Sequence, residues 1–396
     1  MVDSKIEYIE LPSKKWMRKQ GLSYLIEGEN HDYFTKEAIV LNTKEVDRFI
    51  STADSLYSQM MTAARFVADN NLWELAGIPK NAIELVRYSL QRERNLHLIG
   101  RFDFAGGLDG KSISMLEFNA DTCSLMPETA HVLPEQTAKA RKKKFQIYNN
   151  LLNQLTETFR TILEAYPDRI PNLLLSYLGN EEDYLNLEVI AQAARQAGFQ
   201  QVQIMILEKV VFSEEEGVFI QSGPELYTKF DFFFKMFPWD FMAYEEPELM
   251  DLMTKIVMNK HAIVLNPAFT MLLQSKGLLK FLYDQFPSRP SILKASFEES
   301  DFAHDRYVKK PFYGRTGDNV SIHSGRDLVL AQNEGDYGNY PFLYQQFATL
   351  NKDSEGDYYQ PSMFWSKESC ALCFRRQEDM IVDDDAEYLC HLIEKY

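Results

Sequence analysis

Polar side chains alternate with phenylalanines on both sides of a glycine-rich stretch near residue 108. The polar residues are Arg101, Asp103, Glu117, Asn119 and Asp121. Side chains two residues apart on a strand share a face, so we expect these groups to converge on one patch, with Phe102 and Phe104 behind them. Carboxylates beside a fixed guanidinium suit a Mg²⁺–nucleotide site, because Mg²⁺ takes few carboxylates and shares its other positions with phosphates and water. An ordinary exposed hairpin face is the alternative interpretation.

The glycine-rich stretch predicts a β-hairpin turn with Asp109 and Gly110 at its tip. On the return strand, Leu116 and Phe118 are expected to point into the core. Residues 105–112 also resemble a P-loop, but Ala105 stands where that motif has its first glycine. A P-loop leads from a strand into a helix, whereas this segment leads into a second strand. We therefore interpret it as a hairpin turn.

Helical periodicity predicts much of the structure that flanks the hairpin. Residues 1–97 are predicted to be mainly helical, because apolar residues recur at three- and four-residue spacing over 46–64. A second amphipathic helix is predicted over 145–162, opened by the basic run at 141–144. The acidic run at 383–385 is interpreted as solvated surface.

Residues 171–270 predict an α/β subdomain with a partly parallel sheet. Its strands are predicted at 172–176, 201–207, 231–235 and 262–265, with a helix at 181–197 that ends at Gly198. Further on, a helix is predicted at 275–285 and strands at 306–310 and 320–323. The loop between these last strands carries Gly314 and Gly317 and follows two lysines, and such a loop can offer backbone N–H groups to phosphates.

Composition excludes several classes of partner. The chain has 396 residues, 45% of them hydrophobic, which is enough for a large core and two or three subdomains. Its net charge of −16 argues against nucleic acid and against an anionic membrane surface. No apolar run approaches the length of a membrane span, and the charged N-terminus lacks the apolar core of a signal peptide.

The sequence lacks the motifs of several common classes of enzyme and metal site. Cys370 and Cys373 form a lone C-x-x-C pair, which is insufficient for a metal site. A cytoplasmic protein with reduced thiols is expected. The seven histidines form no H-E-x-x-H pattern, and neither a G-x-S-x-G nor a G-x-G-x-x-G motif in the required context occurs. Triad hydrolases, zinc hydrolases and Rossmann enzymes are therefore disfavoured.

Several short segments occur along the chain in the same order as in a known protein family. They are Gly-Arg-Phe-Asp-Phe at 100–104, Glu-Phe-Asn-Ala-Asp at 117–121, Asn-Pro at 266–267, Ser-Lys at 275–276, Lys-Pro-Phe-Tyr-Gly-Arg-Thr-Gly-Asp-Asn at 310–319, Tyr-Gln-Gln at 344–346 and Cys-Phe-Arg at 373–375. In this order the chain resembles the synthetase domain of glutathionylspermidine synthase and its stand-alone bacterial relatives. Each motif alone is weak, but together they extend over nearly the whole chain.

The resemblance implies a mixed α/β (α+β) fold of the ATP-grasp type, with an additional pre-ATP-grasp α/β subdomain and a helical N-terminal region. All of 1–396 is then expected to form one ligase module. Its approximate parts are a helical part at 1–97, the metal and nucleotide hairpin with a helix at 98–170, the α/β subdomain at 171–270 and the nucleotide-binding part at 271–396.

The resemblance also implies residue roles. Asp103, Glu117 and Asn119 are expected to be Mg²⁺ ligands. Arg101 is expected to steady the transferred phosphoryl group, and Arg375 to lie near the reacting carboxylate. The ATP-binding set combines phosphate-binding lysines, a lid over the phosphates and a segment at the adenine. Its members are Lys276, Lys310, Gly314, Arg315, Gly317, Gln345, Gln346, Phe347 and Ala348. Substrate is expected at Thr122, Ser124 and Asp240.

The implied activity is an ATP- and Mg²⁺-dependent ligase that joins a glutathione-like acid to an amine or polyamine such as spermidine through an acyl phosphate. Such chemistry needs fixed cations, metal ligands and a closing lid rather than a covalent nucleophile. No cysteine precedes Cys123, so the amidase domain of the bifunctional relatives is not expected. An amino acid or peptide ligase of the same fold and a non-catalytic ATP-binding protein are the alternatives, and the intact set of charged residues argues against the latter.

The substrate region departs from the family pattern. Trp239-Asp240-Phe241 stands where the family has tryptophan, glutamate and threonine. Asp240 is one methylene shorter than glutamate, and Phe241 replaces a hydroxyl with an apolar ring. We therefore expect the acid to be smaller or less polar than glutathione on that side, with a cationic amine as acceptor.

Overall fold

A computed structural model describes residues 2–27, 32–91, 97–139 and 145–394. The α-helices of this part are α1 (Lys14–Lys19), α2 (Thr43–Asp69), α3 (Ile83–Gln91), α4 (Leu133–Lys139), α5 (Leu151–Ala165), α6 (Glu181–Ala197), α7 (Trp239–Tyr244), α8 (Pro247–Met258), α9 (Thr270–Gln274) and α10 (Leu278–Gln285). Short 3-10 turns cover Val2–Lys5, Tyr24–Ile26, Leu207–Lys209 and Glu299–Phe302, and a π-helical turn covers Glu128–Val132.

The strands belong to four sheets. In chain order they are β1 (Ile6–Tyr8), β2 (Phe34–Leu41), β3 (Gly100–Gly106), β4 (Ile113–Asn119), β5 (Phe145–Gln146), β6 (Asn172–Tyr177), β7 (Gln201–Ile206), β8 (Val210–Ser213), β9 (Gly217–Gly223), β10 (Leu226–Phe230), β11 (Phe232–Lys235), β12 (Ile263–Leu265), β13 (Ala295–Ser296), β14 (Arg306–Pro311), β15 (Ser321–Ser324), β16 (Leu328–Gln332), β17 (Phe342–Gln346), β18 (Asn351–Lys352), β19 (Tyr358–Ser366), β20 (Glu368–Gln377) and β21 (Glu387–Glu394).

The largest sheet carries the β3–β4 hairpin at one edge. Its order is β1-β2-β21-β20-β19-β3-β4, with β5 added to β21 and β18 added to β19. The amphipathic helix predicted over 46–64 is confirmed as α2, which packs against β19 and β20 through Phe49, Ala53 and Leu56. A capping box between Asn42 and Glu45 starts this helix. The hairpin is therefore backed by a helix and a continuous core.

The N-terminal region is less helical than predicted. β1 and β2 lie within residues 1–97 and join the large sheet, where β2 runs parallel to β21. The apolar run at the end of β2, residues 38–41, is buried at positions 38, 39 and 41. This run is continuous rather than alternating, so it shows no two-residue periodicity, which is why the sequence pattern did not identify the strand.

The predicted α/β subdomain is present. β12-β11-β6-β7 form a parallel sheet, and α6 crosses from β6 to β7 over the predicted residues 181–197. Gly198 ends α6 with a φ of 115°, in the left-handed region. Between β7 and β11 the chain inserts the small antiparallel sheet β10-β9-β8, which was not predicted.

The helix predicted over 145–162 begins later than expected. Residues 145 and 146 form β5 against β21, and α5 begins only at Leu151. Phe145 alternates with polar residues over a stretch too short to distinguish strand from helix. The basic run at 141–144 lies outside the described residues.

The fourth sheet is antiparallel and has the order β13-β17-β14-β15-β16. β14 and β15 correspond to the strands predicted at 306–310 and 320–323. The helix predicted at 275–285 corresponds to α10, which begins later than expected, at Leu278, and a separate short helix that was not predicted, α9, ends at Gln274. All four cysteines are buried and free. Within the described ranges, no helix is both long enough and apolar enough to traverse a lipid bilayer.

Candidate active site

The β3–β4 hairpin brings the predicted polar residues into register. Arg101 lies opposite Asn119, and Asp103 lies opposite Glu117, so all four side chains occupy neighbouring positions on one face. On the other face Phe102 stacks on Phe118, with ring centroids 3.8 Å apart. The turn contains Asp109 and Gly110 at φ values of 52° and 76°. The hairpin interpretation is confirmed, and the P-loop is excluded.

A β-bulge corrects the prediction for Leu116. The register runs from Asp103 opposite Glu117 to Phe104 opposite Met115, which leaves Leu116 as the extra residue. Leu116 and Glu117 therefore both line the cavity, and Leu116 packs beside Ala348 instead of joining Phe118 in the core. Strict alternation cannot foresee an inserted residue.

Asp103 is the centre of a buried charge cluster. It is 1% exposed and accepts from Arg101 at two positions, with Nε–Oδ1 at 2.8 Å and Nη2–Oδ2 at 3.1 Å. Asn119 Nδ2 donates to Oδ2 at 3.1 Å, and Arg375 Nη2 approaches the same oxygen at 3.5 Å. Burial opposes ionisation, but Arg101 and Arg375 outweigh it and hold the pKa of Asp103 below its usual range. These charges therefore favour the ionised form of Asp103.

Glu117 is neutralised by a lysine. Lys276 Nζ lies 3.1 Å from its carboxylate and also donates to the carbonyl of Gly314 at 3.2 Å. Burial raises the pKa of Glu117, but the positive charges of Lys276 and Lys310 lower it by more. The pKa of Glu117 therefore lies below its usual value. Lys310 donates to the Leu116 carbonyl at 2.7 Å, and burial lowers the pKa of its ammonium to about 7. An added anion at this point would raise the pKa of Lys310 and favour its charged form.

Asp121 is not part of this patch. It is fully buried and forms an ion pair with Lys235, with Nζ–O distances of 2.8 and 2.9 Å. Its carboxylate also accepts from the backbone N–H of Trp239 at 2.7 Å and from the hydroxyl of Thr270. The chain leaves β4 at Asn119, so the alternation of the strand no longer applies at residue 121. Asp121 instead anchors the hairpin to β11, α7 and α9.

Asn266 supplies a second anchor. Its side chain accepts from the N–H of Leu98 and donates to the carbonyls of Ile99 and Asp121, at distances of 2.7 to 2.9 Å. These bonds join the end of β12 to the open end of the hairpin, just before β3 begins and just after β4 ends. The Asn-Pro motif at 266–267 is therefore a structural connection between the parallel sheet and the large sheet.

The predicted substrate residues lie beside the charged cluster. Thr122 and Ser124 follow β4, and the Ser124 carbonyl accepts from Arg101 Nη1 at 2.9 Å. Asp240 is 5% exposed, and its Oδ1 has no hydrogen-bond partner among the described residues. Burial raises the pKa of Asp240 to about 6. Phe241 packs against Phe237 and does not line the cavity, so its ring takes no volume from the site.

The predicted lid is the loop between β14 and β15. Gly317 has a φ of 76°, and a Cβ atom added there would lie 2.7 Å from Ile381 Cγ2 and 3.2 Å from the Val382 carbonyl. This loop therefore packs closely against residues 381–382 on the opposite wall of the cavity.

Gly317→Val is expected to lower turnover at least tenfold, because it combines a disfavoured backbone conformation with this contact and displaces the loop. Gly110→Val is the matched control, since Gly110 has the same φ of 76° but open space around it. Tryptic cleavage after Arg315 should be slowed by Mg²⁺-ATP in the unaltered protein and less so in Gly317→Val. Equal turnover of the two variants would contradict this role of the loop.

The predicted adenine segment, residues 345–348, comprises the last two residues of β17 and the two that follow. The backbone N–H of Gln346 donates to the Lys294 carbonyl at 2.8 Å, and that of Phe347 donates to the Arg306 carbonyl at 3.0 Å. These bonds fix the segment between β13 and β14. Apolar side chains surround the adjoining part of the cavity. They are Leu116, Val308, Ile322, Ala348 and Leu350.

One cavity of about 380 Å³ joins these groups, a size typical of small-molecule sites. The residues to which the family resemblance gives a role all line it, including Arg315 and Gln345, whereas Asp121 does not. Sequence reasoning missed several polar lining residues. They are Asn180, Glu182, Asp183, Gln274, Asp318, Gln360 and Asp384. The first three follow β6 at the carboxyl end of the parallel sheet, where ligands commonly bind, and this position was the available signal.

The donor set fits Mg²⁺ in its chemistry. Asp103 and Glu117 offer carboxylate oxygens and Asn119 an amide oxygen, and hard oxygen donors with a low ligand count suit Mg²⁺ bound together with phosphates. Within the described ranges, no three His, Cys, Asp or Glu side chains are grouped to hold a metal by themselves. A site made from this hairpin would therefore need phosphate or water oxygens to complete it.

Curated ligases are among the proteins that this chain resembles. A Haemophilus influenzae protein provisionally named an acid–amine ligase is 25% identical over 91% of each chain. The bifunctional glutathionylspermidine synthetase/amidase of Escherichia coli is 22% identical over 93% of this chain. The matched region is 60% of the length of the Escherichia coli protein. Trypanothione synthetase of Crithidia fasciculata is 24% identical over 77% of this chain and 48% of its own.

A solved structure supports the fold. A glutathione synthetase-like effector from Globodera pallida covers 89% of this chain and 88% of its own at a TM-score of 0.53, with 10% identity. This likeness confirms the predicted mixed α/β fold of the ATP-grasp type. The model of the glutathionylspermidine synthase preATP-grasp family matches residues 7–394. The chain therefore belongs to the glutathionylspermidine synthase preATP-grasp family.

Proposed function

We propose that the protein is an ATP- and Mg²⁺-dependent ligase that joins the carboxylate of a peptide-like acid to an amine through an acyl phosphate. The observation that carries this proposal is the pairing of each hairpin carboxylate with a cation inside one cavity, Asp103 with Arg101 and Glu117 with Lys276. The named activities of the relatives support the same reaction class. The chain spans only part of the length of the bifunctional relatives, so we do not propose their amidase activity for it.

Asp103, Glu117 and Asn119 would hold the metal, while Lys276 and Lys310 would meet the phosphates. When bound, Mg²⁺-ATP would supply the phosphoryl group that activates the acid. Without Mg²⁺-ATP, each carboxylate forms an ion pair with a cationic side chain of the protein. Phosphate oxygens can take over Lys276, which frees Glu117 for the metal, so the charges of the site stay balanced in both states.

Arg101 and Arg375 would stabilise negative charge on the reacting carboxylate and the transferred group. Arg101 is held by Asp103 and by the Ser124 carbonyl, so its fork is oriented before substrate arrives. Arg375 donates to Gln360 as well as approaching Asp103, while its buried Nε has no partner among the described residues. Cations fixed in advance lower the reorganisation cost of the transition state.

The other end of the cavity would receive the substrates. Thr122 and Ser124 offer hydroxyls to the acid, and Asp240 offers its Oδ1, which has no hydrogen-bond partner among the described residues, to an ammonium group on it. Glu182, Asp183 and Asp384 add negative charge to the lining. Burial and the charges of Asp183 and Asp384 raise the pKa of Glu182, and a cationic amine would relieve this repulsion. This end is therefore proposed as the place of the amine.

Asp240→Asn is expected to stabilise the protein above pH 6 and to weaken substrate binding. The pKa of Asp240 is about 6 in the folded chain and near 4 when unfolded, so ionisation costs stability as pH rises through this window. The cost amounts to roughly 1–3 kcal/mol at neutral pH. Asparagine removes it, so the melting temperature should rise at pH 8 and stay unchanged at pH 4.

Asp251→Asn, at an exposed position on α8, is the control for this experiment. In the unaltered enzyme, binding of a cationic substrate should weaken as pH falls below about 6, because Asp240 becomes neutral. An equal melting-temperature difference at both pH values would contradict the assigned ionisation of Asp240.

The experiment for the proposed function is ADP release with Mg²⁺ across a panel of acids and amines. Glutathione, shorter peptides and single amino acids are tested with spermidine, shorter diamines and ammonia. ADP release that requires both an acid and an amine supports the ligase. Preference for a single amino acid would favour the amino acid or peptide ligase, and Mg²⁺-ATP binding without turnover would favour a non-catalytic protein.

The side chain of Asp240 is shorter than the family's glutamate, so we still expect an acid smaller than glutathione on that side. Phe241, in contrast, packs away from the cavity and gives no steric reason to exclude glutathione. We also infer a cytoplasmic location, in which the four buried thiols stay reduced.

A further inference from the structure

The turn after β4 connects the metal hairpin to the substrate residues. It carries Thr122 and Ser124 within five residues of Asn119. The Ser124 carbonyl also accepts from Arg101 Nη1 at 2.9 Å, so the position of the turn affects the guanidinium. Any group that fixes this turn acts on both the acid site and the reaction centre.

Backbone N–H groups in this turn have left the sheet and need other acceptors. Gln274 supplies one, because its Oε1 accepts from the N–H of Asp121 at 2.9 Å and from that of Thr122 at 3.5 Å. Gln274 is the last residue of α9, and Thr270 at the start of α9 donates to the Asp121 carboxylate at 3.1 Å. The two ends of α9 therefore hold Asp121 through its side chain and its backbone.

Gln274 also lies at the cavity, two residues before Lys276. The segment from 274 to 276 thus contacts the turn with one side chain and Glu117 with another, so it joins the substrate side of the site to the metal side. No sequence motif identified Gln274, since the matching segment began at Ser275.

We propose that Gln274 is a positioning residue of the ligase reaction. Its side-chain carbonyl fixes the turn at 121–124 and thereby orients Thr122 toward the acid and Arg101 toward the reacting carboxylate. This inference rests on the proposed function for its effect on rate, but not for its effect on the turn.

The test compares Gln274→Glu, which keeps an acceptor at the same position, with Gln274→Met, which keeps the approximate volume and removes it. Amide hydrogen exchange of residues 120–124 should be faster in Gln274→Met and unchanged in Gln274→Glu. With glutathione and spermidine as probes, Gln274→Met should lose about 10- to 100-fold in kcat/KM for the acid, with KM for ATP unchanged. Gln274→Glu should remain within about threefold of the unaltered enzyme.

Gln285→Glu and Gln285→Met, at an exposed position that ends α10, control for charge and for the residue change. Unchanged exchange in Gln274→Met overturns the proposal, as does equal loss of rate in the Glu and Met variants, which would indicate direct contact with substrate. If the unaltered protein shows no acid-dependent ADP release, the ligase proposal fails, and the exchange measurement still decides whether Gln274 fixes the turn.

Discussion

Glu117→Gln is expected to lower turnover by about 100- to 1000-fold with little change in melting temperature. Glutamine keeps the shape and can still accept from Lys276, but it removes one anionic oxygen ligand from the metal site. Lost stabilisation of several kcal/mol at the metal corresponds to this range of rates. The Glu117 side chain is 31% exposed, and Lys276, which is 8% exposed, keeps an acceptor in the glutamine oxygen, so the cost to the fold is expected to be small.

Glu368→Gln, an exposed position at the start of β20 in the same sheet, is the matched control. Millimolar Mg²⁺-ATP should raise the melting temperature of the unaltered protein and of the control through binding linkage, and raise it less in Glu117→Gln. Full turnover of Glu117→Gln at saturating Mg²⁺ would contradict a ligand role for this residue.

Asp103→Asn is expected to abolish turnover as well, but with a cost to the fold. Asp103 is buried and neutralises Arg101 and Arg375, and removing one partner of a buried pair typically costs 3–5 kcal/mol. Lost activity in that variant therefore mixes catalysis with stability, which makes Glu117 the better probe of the metal site.

Arg101→Lys is expected to lower kcat by about 100- to 1000-fold while KM for ATP changes only a few-fold. Lysine keeps the charge, but it cannot hold both oxygens of Asp103 and the Ser124 carbonyl at once. The loss then falls on the transition state, where oriented cations stabilise the developing charge.

Arg195→Lys on the exposed side of α6 is the control for this substitution. A rise in KM for ATP with unchanged kcat would assign Arg101 to nucleotide binding instead. Circular dichroism and melting curves should show that Arg101→Lys remains folded, since a lysine can still pair with Asp103.

The hairpin and the α/β subdomain were predictable because local patterns determine them. Alternation placed Arg101 and Asp103 on one face with Phe102 behind them, and cross-strand register then brought in Glu117 and Asn119. For α6, the predicted range 181–197 and its end at Gly198 match the structure, which shows in addition that Asn180 caps the start of the helix. These signals lie within a few residues of the elements that they define.

The missed features depend on contacts between distant segments. A one-residue bulge turned Leu116 toward the cavity, and the end of β4 turned Asp121 away from it toward Lys235. β2 becomes a strand because β21, far along the chain, pairs with it. Asp384 is exposed as predicted, yet the fold brings it to the cavity beside Glu182. None of these neighbours is visible from local spacing.

Isotope transfer from the acid to phosphate tests the proposed chemistry most directly. An acid labelled with ¹⁸O in its carboxylate is incubated with ATP, Mg²⁺ and the amine that supports ADP release. In an acyl-phosphate route the carboxylate oxygen bonds to the transferred phosphorus, and the amine then breaks the carbon–oxygen bond, so one label per amide formed should appear in inorganic phosphate alongside ADP. Unlabelled phosphate, formation of AMP, or ADP release that needs neither acid nor amine would contradict the proposed ligase.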